Sequence, residues 1–185
     1  MEHFSLMNKW RFPRGDWGEI KGINDAGVET FNSNTLRSLV RESLQNSLDA
    51  SRGGKVTVEF EEFTIPFDAI PDADGLRTAL ELCRTQGGDQ SETATRFFDN
   101  ALSAVNSEAI RVMRVSDYGT TGLRGADTCS QGTDWSKLIK ESGSSGKHGT
   151  SGGSFGIGKY SAFACSSMRT VFFSSSKSSE SCGSR

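Results

Sequence analysis

The chain has 185 residues, 34 % of them hydrophobic and 24 % charged, and its 21 Lys and Arg against 23 Asp and Glu leave a formal net charge of −2. That balance gives no general attraction to nucleic acid or to an anionic membrane, and the lack of an 18-residue apolar run excludes a transmembrane helix from the sequence. The 21 glycines against 3 prolines carry no Gly-X-Y period, which excludes collagen, and the length suits one domain with a real core.

Four scattered cysteines, Cys83, Cys129, Cys165 and Cys182, form no C-x-x-C pair and have only His3 and His148 beside them. Neither a disulfide framework nor a structural zinc site is expected. The first twenty residues hold no basic stretch followed by an apolar run, so the expectation is a cytoplasmic protein with reduced thiols.

Residues 4–34 mix Phe4, Trp10, Phe12, Trp17 and Phe31 with Gly and Pro. The segment is too irregular for a helix and too apolar for a free tail, so it is expected to lie against its own domain or a partner. Asn32 to Thr35 offer N-cap residues, and Leu36 to Ala50 follow without Gly or Pro, predicting a helix. At 100° per residue Leu36, Leu39, Val40, Leu44 and Leu48 form one arc, expected to face the core, with Glu42, Asn46 and Asp49 on a stripe beside it.

Gly53-Gly54 ends that helix, and Lys55 to Phe63 alternates as a strand with Val56, Val58 and Phe60 on its dry face. Asp74 to Arg84 and Glu92 to Val105 read as amphipathic helices, and Ala109 to Ser116 as a second strand running into Asp117. From Tyr118 to Gly158 the chain is rich in glycine: 11 of the 21 lie between Gly119 and Gly158. Asp134 to Glu141 is the helical piece inside that stretch, Lys159 to Ser166 a further helix, and Met168 to Ser174 a third strand. Ser175 to Arg185 is Ser-rich and reads as a turn or frayed end.

Three segments carry chemistry. On the first helix, Glu42, Asn46 and Asp49 sit four and three residues apart, so a base, an amide oxygen and a second carboxylate share one flank. Magnesium takes oxygen ligands and keeps waters, so one amide oxygen with nucleotide phosphates can hold it, while a carboxylate one turn away orients the attacking water. A solvated polar helix face gives the same pattern. Second, Asp117-Tyr118-Gly119-Thr120-Thr121-Gly122 follows a strand, where a carboxylate beside glycines can accept from the amino group of a flat heterocycle; a plain Asp-Gly turn reads alike. Third, Gly152-Gly153-Ser154-Phe155-Gly156-Ile157-Gly158-Lys159 frees backbone N–H groups ahead of a helix start, which suits phosphate oxygens. It has neither Walker A nor dinucleotide-fingerprint spacing.

In this order the three segments resemble the N, G1 and G2 boxes of the GHKL or Bergerat-fold ATPases, which include DNA gyrase, the ninety-kilodalton heat-shock chaperones, sensor histidine kinases, MutL and the MORC proteins. ESLQNSLDA looks like the N box, and GSFGIGKYSAF is similar to the glycine loop of the heat-shock chaperones. The likeness spans roughly residues 36–175. It departs from the usual Asp-x-Gly-x-Gly in that Gly119 is followed by Gly122.

The resemblance implies an α/β fold: a two-layer sandwich with a mixed, mainly antiparallel sheet, helices on one face and a glycine-rich lid over ATP. It implies a domain at 35–175 with the lid at about 120–152, an N-terminal arm at 1–34 serving as a dimerisation segment, and an end at 176–185. Glu42 would activate the attacking water, Asn46 would ligate Mg²⁺ and Asp117 would bind the adenine amino group. Asp49 would support the base or sugar side, Gly119 and Gly122 the adenine end, and Gly153, Gly156, Ile157 and Gly158 would surround the phosphates. Lys147 and Lys159 either reach phosphate or are exposed solubilising lysines. The implied function is slow Mg²⁺-dependent ATP hydrolysis driving a conformational or dimerisation switch in a larger protein, with similar domains occurring in genome-maintenance and phage-defence proteins. A non-catalytic module in which ATP only controls association is the competing reading. ATP, a second copy of the chain, and nucleic acid or protein partners through further domains are the expected partners, with no membrane role.

Overall fold

The computed structural model describes residues 9–12, 25–86, 91–125, 130–139 and 158–176. A single helical turn at Ala26–Glu29 (α1) and a 3-10 turn at Asn32–Asn34 lead into a 15-residue helix, Thr35–Asp49 (α2). Its start is fixed as the sequence predicts, since the side-chain oxygen of Asn34 accepts from the Arg37 N–H at 3.3 Å.

Strand β1, Thr57–Pro66, pairs with β2, Ala109–Tyr118, in a two-stranded antiparallel sheet. Opposite charges face each other across it: Arg114 Nε donates to Glu61 at 2.7 Å, and Arg111 approaches Glu62 at 3.4 Å. Between the strands run Ala73–Gln86 (α3) and Glu92–Val105 (α4), and after them come Asp134–Ile139 (α5) and Tyr160–Cys165 (α6). The architecture is thus mixed helix and strand. Among the described residues no helix is long and apolar enough to cross a membrane.

The chain divides into two compact units, Met1–Glu29 with Glu61–Arg114, and Thr30–Phe60 with Val115–Arg185. In the first, α3 packs along α4. Phe67, Ile70, Leu76, Leu80, Ala94, Ala101, Val105 and Ile110 are buried there, each large side chain contributing roughly 1.5–3 kcal/mol by leaving water. The Ser91 hydroxyl caps α4 by accepting from the Ala94 N–H at 3.1 Å. Arg77 lies over the Phe67 ring, 4.9 Å from its centroid, while donating to the Val105 carbonyl at 3.4 Å. Trp10 donates its main-chain and indole N–H groups to Asp72 at 3.1 and 3.2 Å, so this part of the aromatic N-terminal segment lies on its own chain.

In the second unit α2 packs on α6, and α2 does not present the face that periodicity predicts. Leu39, Glu42 and Ser47 are buried, whereas Leu36, Leu44 and Leu48 are 54 %, 41 % and 61 % exposed. The helix is turned toward its Leu39 side, where Ser43 and Ser47 are also carried. Small side chains allow another element to approach closely, and the leucines would hold it off.

The sheet also departs from expectation. Phe60, assigned to a dry face, is 36 % exposed, as is Val115. Met168–Ser174 forms no strand: a turn in which the Arg169 N–H donates to the Ser166 carbonyl, with Arg169 at φ +47°, breaks the extended path. Phe172, in this segment, is 57 % exposed, and among the described residues the sheet has two strands.

Candidate functional site

The end of α2 is stitched to the loop that follows β2. The Arg52 N–H donates to the Gly119 carbonyl at 3.2 Å, the Thr121 N–H donates to the Ala50 carbonyl at 2.9 Å, and Ser51 bridges Thr120 in antiparallel register. These main-chain bonds join segments about 70 residues apart, and they set the last turn of α2 beside the strand-end carboxylate. The hydroxyl of Ser47, a residue only 5 % exposed, donates to Asp117 Oδ2 at 3.2 Å.

Glycine is required where the stitching is tightest. Gly119 has φ +79°, and a Cβ there would overlap the carbonyl oxygen of Lys55. Gly122, at φ +65°, lies against Ser175, whose hydroxyl accepts from the Leu123 N–H at 2.9 Å.

The three polar positions of α2 meet different surroundings. Glu42 is buried at 8 % exposure, while Asn46 and Asp49 are exposed. Asn46 lies on an azimuth between Glu42 and Leu39, both buried, so the inward side of α2 opens to solvent one turn beyond Glu42. Asp49 accepts from the Gln45 amide at 2.9 Å. Asp117 is exposed beyond its bond to Ser47.

Gly158 and Lys159 immediately precede α6. The Gly158 carbonyl accepts from the Ser161 hydroxyl at 2.7 Å, and Lys159 Nζ lies 5.7 Å from the centroid of the Tyr160 ring. Lys147, Gly153, Gly156 and Ile157 lie outside the described residues. The described part of the site is therefore its acidic end, with Asp49 and Asp117 near the helix terminus.

Two titratable groups of this unit are perturbed. The Arg124 guanidinium is held above its ordinary value, first by its hydrogen bond to Asp134 and then by the charge of that carboxylate. Partial burial pushes the Cys165 thiol up, against a hydrogen bond with Thr35 that pulls it down.

Ser47 is the residue at this junction that sequence reasoning passes over. A serine inside a helix carries no signal beyond its smallness, since its hydroxyl commonly bonds back to its own helix. Only the approach of β2 gives it a partner. No family model matches the chain, and no curated protein or solved structure matches it.

Proposed function

We propose that the chain is an ATP-binding module of the GHKL type, in which slow Mg²⁺-dependent hydrolysis drives a conformational or dimerisation switch within a larger protein. The observation that supports this reading most directly is the joining of the α2 terminus to the Asp117–Thr121 segment. It brings the amide of one box and the carboxylate of the next to one end of the same unit, as a nucleotide bound between them requires. The two-layer Bergerat sandwich belongs to the same proposal, as do roles for the switch in genome maintenance or phage defence.

In this reading the free oxygen of Asp117 accepts from the adenine amino group, with Gly119 and Gly122 giving the ring close access to backbone. Gly153, Gly156, Ile157, Gly158 and one of Lys147 and Lys159 serve the phosphates. The donor set suits a nucleotide-borne metal. Among the described residues no three His, Cys, Asp or Glu side chains gather as a protein cage, so an exposed Asn46 oxygen would complete a Mg²⁺ shell made mostly of phosphate and water. Magnesium there would neutralise phosphate charge. Glu42 would hold the attacking water and take its proton.

A second, non-catalytic reading is favoured by one fact: Glu42 is buried, and a general base must reach a water. In that reading ATP controls association alone, through a second copy or another partner. Isothermal titration with ATP, with and without Mg²⁺, tests binding. Asn46→Ala and Asp117→Asn are expected to weaken it, and unchanged affinity in both would refute the assignment. Absence of phosphate release, with ATP still altering oligomeric state, would select the second reading.

A further inference from the structure

We infer that the solvent-facing side of α2 is a docking surface for an acidic amphipathic helix of a partner protein. This goes beyond the nucleotide reading and does not depend on it.

Along α2, Leu36, Val40, Leu44 and Leu48 recur every fourth residue, so they form one ridge on the helix surface. Leu36, Leu44 and Leu48 are exposed and Val40 is half-buried. Val40, Leu44 and Leu48 line a shallow hollow together with Arg37, Arg41 and Gln45. Asn46 lies on the opposite side of the helix axis, so this surface is separate from the candidate nucleotide site.

The charge of the hollow says what covers it. Arg77, Arg84, Arg96, Arg111, Arg114 and Arg124 each meet a carboxylate of the chain. The guanidiniums of Arg37 and Arg41 make no ion pair or hydrogen bond among the described residues. They stand one turn apart, and two like charges at that spacing weaken an isolated helix. A partner carrying carboxylates removes the repulsion, while its apolar side chains cover the leucines. An amphipathic helix supplies both, with apolar anchors at spacings of three and four and glutamates beside them for the guanidiniums. Nucleic acid would satisfy the cations but gain nothing from the leucines, and among the described residues no aromatic ring lines the hollow to stack a base.

The test is fluorescence anisotropy of the full chain with a fluorescein-labelled amphipathic peptide of about 15 residues, with leucines at spacings of three and four and glutamates beside them. A second peptide carries lysine at each glutamate. The acidic peptide is expected to bind the parent protein and the lysine peptide to fail. Leu44→Gln and Leu48→Gln should each weaken the acidic peptide about fivefold, with melting temperatures near that of the parent protein. Arg37→Glu combined with Arg41→Glu should reverse the preference, so that the lysine peptide binds more tightly than the acidic one, a gain that unfolding cannot produce. No binding of the acidic peptide, equal binding of the two peptides, or binding untouched by the leucine variants overturns the proposal. A single-stranded oligonucleotide that displaces the peptide and binds more tightly would give the face to nucleic acid, and a dimer in sedimentation that Leu48→Gln dissolves would give it to a second copy; both overturn it. A parent protein that binds the peptide but no ATP overturns the nucleotide reading alone, and one that binds ATP but no peptide overturns the docking surface alone.

Discussion

Gly119 passes the carbonyl of Lys55 so closely that a single added methyl group would overlap that oxygen. The contact lies beside the main-chain bonds that tie residues 50–52 to 119–121. Gly119→Ala is therefore expected to cost about 1–3 kcal/mol, from a positive φ and the displaced carbonyl together. Gly53 shares a positive φ, +85°, but has open space around it, so Gly53→Ala should cost about 1 kcal/mol or less. Urea denaturation of the two variants separates steric from conformational cost.

The exposure of α2 makes a second contrast. Leu39→Ala should destabilise by about 2–4 kcal/mol, as expected for a buried leucine. Leu48→Gln should stay within roughly 0.5 kcal/mol, because Leu48 is mostly in water. Comparable losses at both positions in chemical denaturation would show that the leucine arc faces the core after all.

Arg77 couples α3 to the end of α4 and to the Phe67 ring. Arg77→Gln should cost about 1 kcal/mol, from the lost stacking and the Val105 carbonyl left with a poorer partner. Thermal melting reads this directly; Arg77 also pairs with the exposed Asp74 at 2.6 Å, so the share of the loss due to that ion pair should shrink as salt is raised while the rest persists.

Glu42→Gln is expected to abolish phosphate release while leaving ATP affinity near that of the parent protein, because the amide keeps the shape of a buried side chain but cannot take a proton. Asn46→Ala should lose the part of ATP affinity that depends on Mg²⁺, measured by titration before and after chelation. Equal loss of binding and turnover in Glu42→Gln would assign that residue to the fold.

The raised Cys165 thiol has a pH consequence. Its folded-state value lies above its ordinary one, with burial the leading cause, so the folded state favours the protonated thiol. That contribution to stability is present below the ordinary thiol range and is lost as pH rises through the folded value. Alkylation at pH 8, followed by peptide mass spectrometry, should modify Cys165 more slowly in the folded chain than in urea.

Local chemistry made much of this chain legible. The Asn34 cap and the Gly- and Pro-free run after it gave α2 its bounds within a residue, and the Glu92 to Val105 helix was read to the residue. Alternation located β1 to within two or three residues, and the run from Ala109 located β2, which continues two residues past Ser116. These features depend on neighbours in sequence, where propensity and capping act. The orientation of α2 was not legible, because an arc of leucines and a face with Leu39 and two serines both offer a helix something to bury. The choice between them belongs to whatever packs alongside. The Met168–Ser174 segment has strand composition, but its pairing depends on the turn at Ser166–Arg169.

The sequence by itself determined the identity and order of the candidate groups: Glu42, Asn46 and Asp49 on one helix, Asp117 at a strand end, and glycines after it. Tertiary structure alone decided that Glu42 is buried while Asn46 is open, and that Ser47 holds Asp117. The physical reason is range. Helix and strand periodicities follow from bonds within a few residues, whereas a hydroxyl donating across 70 residues depends on the closure of a long loop, which no local pattern encodes.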